Sequence, residues 1–440
     1  MAEQGNTAFS VPQQTASKRA ASVSFWHQRR YASWMTADTT LRLAGALTSY
    51  AQPLIVFALS RSLELAGTVS TVAMLVTLVC MPFGGTLVDR HDRRRMMMLH
   101  AAAGAAIWAL AAVLLALGRL NTPMFLVLTF IAVAVKGLMS EASDAMLREL
   151  VHGEQYAKAR SVNEGRDATL DLLGGPLGGL LYGLGQWVPY VASMVSFIVG
   201  GVAAFLTGRP RPQASGSADG QATGRASRRR DRSFFADLAE GFRFVVSHKR
   251  LRLLTLLLCV SNFPLLGIQM GGELQLIHVH ASPFVIGLLS SCVGGAALVG
   301  AALSTMLIGR MPTGAVIITS MVLPTLAMLP LVFVQSLPVL FVCVTLAVLA
   351  TPMSSASVCG YVFAQTPDEF QGRVSSLVSV VSVSLGALSP AVASVLIERF
   401  GFGVLATVLV SLAAVCAVVA LCSDGVRSIP KPQRWDEAAL

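Results

Sequence analysis

The chain has 440 residues, of which 54% are hydrophobic and only 13% charged, and its net charge is +10. That composition excludes a water-soluble protein folded round one core and points to an all-α polytopic membrane protein. At roughly 20 apolar residues per crossing, the length holds about a dozen spans with short connections. The basic residues lie in loops beside apolar runs, so the charge is a topology signal, and no nucleic-acid partner is expected.

In chain order, residues 1–34 form a polar N-terminal segment that lacks the apolar stretch of a cleaved signal peptide and ends near the cations His27, Arg29 and Arg30. Disorder is expected there. Spans are expected near residues 36–59, 66–88, 96–117, 123–147, 163–184 and 188–206, making a first six-helix bundle over 35–207. Residues 208–250 then turn Pro-, Ser-, Gly- and Arg-rich, a composition that neither crosses a membrane nor packs a core. This linker ends in an amphipathic stripe, Phe234, Phe235, Leu238, Phe242 and Val245, expected to lie flat in the membrane interface. Six further spans, near 251–275, 283–308, 314–334, 338–362, 374–398 and 402–422, make a second bundle over 251–423, followed by a polar tail at 424–440. The cysteines Cys80, Cys259, Cys292, Cys343, Cys359, Cys416 and Cys422 lie in or beside apolar runs with no close CxxC pair. They read as small buried hydrophobes, so neither a disulfide nor a metal site is expected.

The alternation of basic loops orients the chain. Cations crowd the N-terminus, residues 90–95, 148–166 and 209–252, Arg310, Arg373 and the tail, while the intervening loops hold little beyond Arg61, Arg119 and Arg399. Both termini are therefore expected on the cytoplasmic side, with an even number of spans. The sharpest of these loops is Gly84–Arg95, in which a short turn carrying His91 and four arginines joins two spans; it must face water, since unpaired backbone groups are costly in hydrocarbon. Gly85, Leu87, Asp89, Arg90, Arg93 and Arg94 resemble the loop signature of the major facilitator superfamily, Gly-x-Leu-x-Asp-Arg-x-Gly-Arg-Arg, with Asp92 where the second glycine usually stands. That substitution resembles the efflux branch containing the enterobactin exporter and macrolide efflux proteins. The other reading is a basic inter-span loop with no special role.

Two further stretches resemble the same branch: Pro367 to Val374, with Gly372 and Arg373 in a Pro-x-x-x-x-Gly-Arg-Val loop, and Gly241-Phe242-Arg243-Phe244 before the seventh span. An internal echo supports two parallel repeats of six spans, because Glu154, Tyr156, Ser161 and Pro176 recur as Asp368, Phe370, Ser375 and Pro390, each 214 residues on (368 − 154 for the first pair). In the fifth span Gly174-Gly175-Pro176-Leu177-Gly178-Gly179 resembles the Gly-Pro-x-x-Gly-Gly element of proton-coupled antiporters, one residue short between proline and the glycine pair. Proline removes a helical hydrogen bond and the glycines allow close backbone contact, so this element is suited to bend and to pack against the other half. A small-residue helix contact without directional meaning accounts for it equally.

Ionisable groups inside spans are costly and mark pathways or mutual pairs. Lys136 stands mid-way along the fourth span, with Glu141, Asp144 and Arg148 on another face, spaced as one ion-pair cluster. Asn163, Asp167 and Asp171 form a stripe in the fifth span. A carboxylate removed from water favours its protonated form, which makes Asp171 and Glu141 candidate proton carriers; a static pair with Lys or Arg is the alternative. Asp38 and Arg42, expected at the cytoplasmic end of the first span, and Glu273, near the outer end of the seventh with Gln269 and Gln275, complete the candidate proton or substrate site. Asp89 is expected to accept hydrogen bonds from open N–H groups at Gly372, Arg373 and Val374 and so latch the halves together on the cytoplasmic side.

The resemblance implies a twelve-span secondary transporter of the bacterial inner membrane, monomeric and without cofactor, exporting an amphipathic small molecule by proton antiport. A dedicated siderophore or metabolite exporter is the nearest rival, and a membrane sensor that moves nothing is a further one. No HExxH, Gly-x-Ser-x-Gly or phosphate-binding Gly-x-x-x-x-Gly-Lys pattern occurs, so neither an enzyme nor direct ATP drive is expected.

Overall fold

The computed structural model describes residues 29–151, 154–208, 234–308, 310–367 and 370–437, and among these residues the regular structure is entirely helical. The first half holds α1 (Arg29–Ser60), α2 (Leu63–Arg90), α3 (Arg93–Ala116), α4 (Thr122–Met139), α5 (Glu141–Leu150), α6 (Glu154–Leu184) and α7 (Val188–Leu206). The amphipathic α8 (Phe234–Ser247) precedes α9 (Lys249–His278), α10 (Pro283–Ile308), α11 (Thr313–Met328), α12 (Pro330–Phe333), α13 (Leu337–Leu349), α14 (Thr351–Ala364), α15 (Gln371–Gly386), α16 (Ser389–Phe400) and α17 (Phe402–Cys422). A short α18 (Asp424–Arg427) and a 3₁₀ turn (Pro432–Glu437) follow.

Among the described residues, eleven helical segments are long and apolar enough to cross a membrane. The twelfth crossing is α6, whose first half carries Arg160, Glu164, Arg166 and Asp167 and whose second half packs along α10. Four spans are broken rather than straight, the ninth at Leu329 before Pro330 among them. The fourth divides at Ser140 into α4 and α5, the tenth at Ala350 before Pro352, and the eleventh at Ala387–Leu388 before Pro390. Proline at the start of the second piece explains the last two, since its ring cannot follow a continuous helix. The first span begins at Arg29, not near residue 36, so everything on it sits deeper than the apolar run implied.

One end of the bundle carries the arginine-rich loops, and the other end is built from tight turns. There Arg61 and His280 both take a left-handed backbone, at φ 57° and φ 56°. They occupy the same place in the two halves, the turn between first and second spans and the turn between seventh and eighth. A conformation this uncommon for a non-glycine residue, held twice, is a structural trace of the duplication.

Helices α1, α3 and α7 pack through small residues. A Cβ on Gly104 would meet the Phe197 ring at 2.6 Å, and one on Gly200 would meet Leu41 at 3.0 Å. Trp108 stacks on Tyr190 at 5.1 Å, and Phe125 meets the same ring edge-on. A second apolar cluster at the basic end of the later half gathers Val245 of α8, Leu251 and Leu254 of α9, Val374 and Leu377 of α15, and Val426 and Ile429 of the tail. The tail is therefore part of the fold. Its Ile429 and Pro430 carbonyls accept from Gly314 and Thr313 at 3.2 Å each, closing the open first turn of α11. Trp435 donates to the Thr313 hydroxyl at 3.0 Å and lies edge-on to Tyr361, while Gln365 donates to the Trp435 carbonyl at 2.7 Å.

The two halves meet at the far end and at mid-depth. Gly175 and Gly179 of α6 lie against Gly287 and Pro283 of α10, and Ser291 donates to the Leu172 carbonyl. Gly67 of α2 lies against Pro390 and Ser394 of α16, whose Ala391 N–H donates to the Thr71 hydroxyl at 2.9 Å. These are the same contact made twice, fifth span on eighth and eleventh on second. Tyr50 donates to the Pro283 carbonyl, the Glu64 N–H donates to Glu398, and Arg399 pairs with Glu64 at 3.3 Å.

Candidate functional site

Charged side chains at three depths form a staircase inside the first half. Nearest the basic end, Arg160 pairs with Glu164 at 3.2 Å and with Asp144 of α5 at 3.3 Å. One step deeper, Arg42 of α1 reaches Asp38 at 3.1 Å, Asp167 at 3.2 Å and Asp144 at 3.6 Å, while Arg166 binds Asp38 and, at 2.7 Å, Asp167. At the top stand Asp171 and Lys136, which interact electrostatically with each other and with Arg42 but make no direct ion pair among the described residues. From Arg160 to Asp171 the staircase climbs about 16 Å along α6, at 1.5 Å per residue.

Four helices build it: α1, α4 with Lys136, α5 and α6. Residues 160, 164, 167 and 171 recur every three or four positions and so share one face of α6, and Asp38 and Arg42 do the same on α1. Trp34, fully buried beside them, donates its indole N–H to the Ser143 carbonyl at 3.1 Å and fixes α1 against α5. Asp38 is 3% exposed. It is thus a buried carboxylate held by two guanidiniums, and not the surface acid at a helix end that the apolar run implied; the early start of α1 at Arg29 is the reason. Arg42, Lys136 and Asp171 are exposed although they stand mid-span, so they are not part of the packed core. Lys136 lies close to Gly45, where a side chain would stand 3.9 Å from its Nζ.

Other expectations need correction. Of the expected cluster of Glu141, Asp144 and Arg148, Asp144 is held by Arg42 and Arg160 from other helices, and Glu141 opens α5 after the break at Ser140 without an ion pair to a described residue. The Arg148 side chain lies outside the described residues. Glu273 of α9 accepts from Ser290 of α10 at 3.0 Å, within its own half and near the Tyr50 contact. Arg166, at the centre of the staircase, was missed by sequence reasoning because its partners Asp38 and Thr39 are about 130 positions away.

In the basic loop the packed glycine is Gly84, whose added Cβ would meet Gly137 O at 2.6 Å; Gly85, the residue matched to the motif, faces open space. Asp92, in the place of the motif's second glycine, caps α3 by accepting from Arg94 N at 2.9 Å. Arg93 binds Glu149 and the Ala145 carbonyl, whereas Arg94 binds the Ala204 carbonyl at 3.2 Å and covers the Phe205 ring at 4.8 Å. Both arginines therefore stitch α3 to its own half, and Arg90 is exposed. Asp89 closes the last turns of α2, but its side chain lies outside the described residues, as does Asp368. The N–H groups of Arg373 and Val374, expected to be open, both donate to the Phe370 carbonyl at 3.0 and 2.9 Å. The Arg373 guanidinium pairs with Glu240 of α8 at 2.9 Å.

On α6 the glycines divide between two faces. Gly174 and Gly178 receive Ala46 and Tyr50 of α1, at 3.1 and 2.5 Å from an added Cβ, while Gly175 and Gly179 face α10 in the other half. Pro176 lies between them inside a helix that continues to Leu184.

A multidrug efflux pump, Tap, of Mycobacterium tuberculosis (strain ATCC 25618 / H37Rv) is 26% identical over 378 residues, covering 82% of this chain and 86% of the relative; the Mycobacterium bovis pumps of the same name match equally. Among solved structures, a bacterial homologue of the human lysosomal transporter Spinster, inward-facing and unoccupied, superposes with a TM-score of 0.68 at 14% identity, over 92% of this chain and 98% of that one. A bacterial homologue of the iron transporter ferroportin, also inward-facing, gives 0.61 at 15% identity, over 88% and 98%. These likenesses show the fold. The family model for the Major Facilitator Superfamily matches twice, over residues 39–272 and 262–439, once for each half. The chain belongs to the Major Facilitator Superfamily.

Proposed function

We propose that this protein is an efflux carrier that exports amphipathic small molecules in exchange for protons, its two six-helix halves, 35–207 and 251–423, rocking about a central site. The observation that carries the reading is the top of the staircase: a mid-span acid, Asp171, exposed beside Lys136 and without a direct cationic partner among the described residues. An acid so placed can take up and release a proton without dismantling the ion pairs below it, whereas Asp38 and Asp167 are each held by two arginines. The multidrug pumps among its relatives support the direction of transport.

The basic end is the cytoplasmic side in this reading, with both termini there and the chain in a bacterial inner membrane. The far end is closed by the Gly175–Gly287 and Gly67–Ser394 contacts, so the site opens to the cytoplasm in this conformation. Cargo enters and Asp171 releases its proton down the staircase to that side. In the opposite state, Asp89 latches α2 to the start of α15.

The test is the susceptibility of a pump-deficient bacterial host to a broad panel of antibiotics and dyes, comparing wild type with Asp171→Asn at matched membrane levels. Tolerance to several unrelated compounds in the wild type, lost in the variant, is the expected result. No change for any compound in the wild type would replace this reading with a dedicated exporter, to be sought through a secreted metabolite.

A further inference from the structure

Helix α8 has two working faces. One is fixed to the protein: Glu240 pairs with Arg373 at 2.9 Å, Gly241 lies against the Arg373 carbonyl, Phe244 stacks on Phe370 at 5.1 Å and Val245 is buried. All of these partners stand at the start of α15. This corrects the expectation from sequence, which gave Val245 to the membrane-facing stripe. The other face is open: Phe242 is 56% exposed and Val246 is 36% exposed, four positions apart on one stripe.

Exposed cations Arg243, Lys249 and Arg252 surround that stripe, and Glu240, the acid nearest to them among the described side chains of α8, is spent on Arg373. Beyond His248, which caps α9, Leu256 of that helix is 54% exposed. An apolar stripe bordered by cations at the arginine-rich end of a span is complementary to the boundary between acyl chains and negatively charged headgroups.

We propose that α8 binds anionic phospholipid through Phe242, Val246, Arg243, Lys249 and Arg252, and that the Glu240–Arg373 pair passes this attachment to α15. Because α15 leads through the break at Ala387–Leu388 into α16, which packs on α2 of the other half, the lipid composition of the basic-side leaflet then sets how readily the eleventh span moves. The inference concerns α8 and its link to α15, and it stands whatever the cargo.

The experiment is amide hydrogen exchange on the full chain in nanodiscs of phosphatidylcholine, with and without about one third phosphatidylglycerol, a proportion chosen to give a negative surface. Expected for the wild type is several-fold slower exchange in α8 and in the first turns of α15 when phosphatidylglycerol is present. The variant R243Q/K249Q/R252Q should lose both responses. E240Q should keep protection in α8 and lose it in α15. Identical exchange of α8 in the two lipids would overturn lipid binding, and an α15 response that survives E240Q would overturn the coupling. Both variants are compared at equal size-exclusion elution, so a failure to fold is seen separately.

Discussion

Gly175 and Gly287 face each other across the seam between the two halves, where a Cβ on Gly175 would lie 2.5 Å from the Gly287 carbonyl oxygen and one on Gly287 would run into the Gly175 carbonyl. Backbone stands on both sides, so neither helix can yield locally. Gly175→Ala and Gly287→Ala should therefore each push α6 and α10 apart, at about 1–3 kcal/mol for overpacking. Thermal unfolding and transport are the measurements, and Gly183→Ala, whose added methyl meets open space, is the matched control that should change neither. Wild-type unfolding temperature and transport in Gly175→Ala would mean that the seam is looser than the contact implies.

Removing one member of a buried ion pair leaves its partner uncompensated. Asp38 and Arg166 have side-chain exposures of 4% and 12%, so Asp38→Asn should lower stability by about 3 kcal/mol or more. Arg166→Gln should cost a similar amount, and the double variant less than the sum, because both changes then remove one interaction. A double-mutant cycle from thermal unfolding checks this; strictly additive losses would separate the two side chains energetically.

Asp171 differs from Asp38 in having no direct ion pair to lose among the described residues. Asp171→Asn should leave the unfolding temperature within a degree or two of wild type, while substrate-induced proton release in vesicles falls to background. The split between intact fold and lost coupling is the signature to look for, and proton release at the wild-type rate would remove Asp171 from the transport cycle.

Asp89→Asn tests the latch. The Arg373 and Val374 N–H groups are engaged by Phe370 in this conformation, and the proposed latch is assigned to the state in which the basic end is shut. Transport should drop at least several-fold with membrane levels unchanged, and labelling of a basic-side cysteine should increase because the closed state is less populated. Labelling equal to wild type would dissociate Asp89 from closure.

Much of this molecule was legible in its sequence, and the misses share a cause. Span positions follow from apolar length, so α7 and α17 begin and end where the composition says. The duplication showed as Pro176 and Pro390, and the fold adds Arg61 and His280 to it. Hydropathy, however, stops at the first cations, so Arg29 and Arg30 were left outside α1 and Asp38 was placed too near the surface. Among the charges, the pairing of Asp38 with Arg42 four positions on was legible, but partners on other helices were not. Spacing along one helix suggested Asp144 with Arg148, whose side chain lies outside the described residues, and gave no sign of Arg42 and Arg160, which reach Asp144 from helices with no periodic relation to it. For the same reason the motif match named Gly85, while the closely packed residue is its neighbour Gly84.

Deleting residues 424–440, or changing Trp435 to Ala, should destabilise the later half at its basic end. Trp435 fills a gap against Gly360 and Tyr361, and Phe/Trp→Ala losses in fully packed sites run to about 3–5 kcal/mol; with the indole only partly buried, about half of that is expected. Faster amide exchange in the first turn of α11, with α1 to α7 unaffected, is the observable. Unchanged exchange at Thr313 and Gly314 would make the tail a passive passenger.

The strap has a consequence for how the protein is made. Ile429 and Pro430 supply the carbonyls that close α11, and they leave the ribosome after α17, the last of the spans described above. Until then the ninth span sits in the membrane with its first amides facing water and its neighbour Tyr361 uncovered. Biogenesis of the second bundle thus ends with a step of its own, and a chain whose last segment is damaged presents an unfinished end to the proteases that survey newly made membrane proteins.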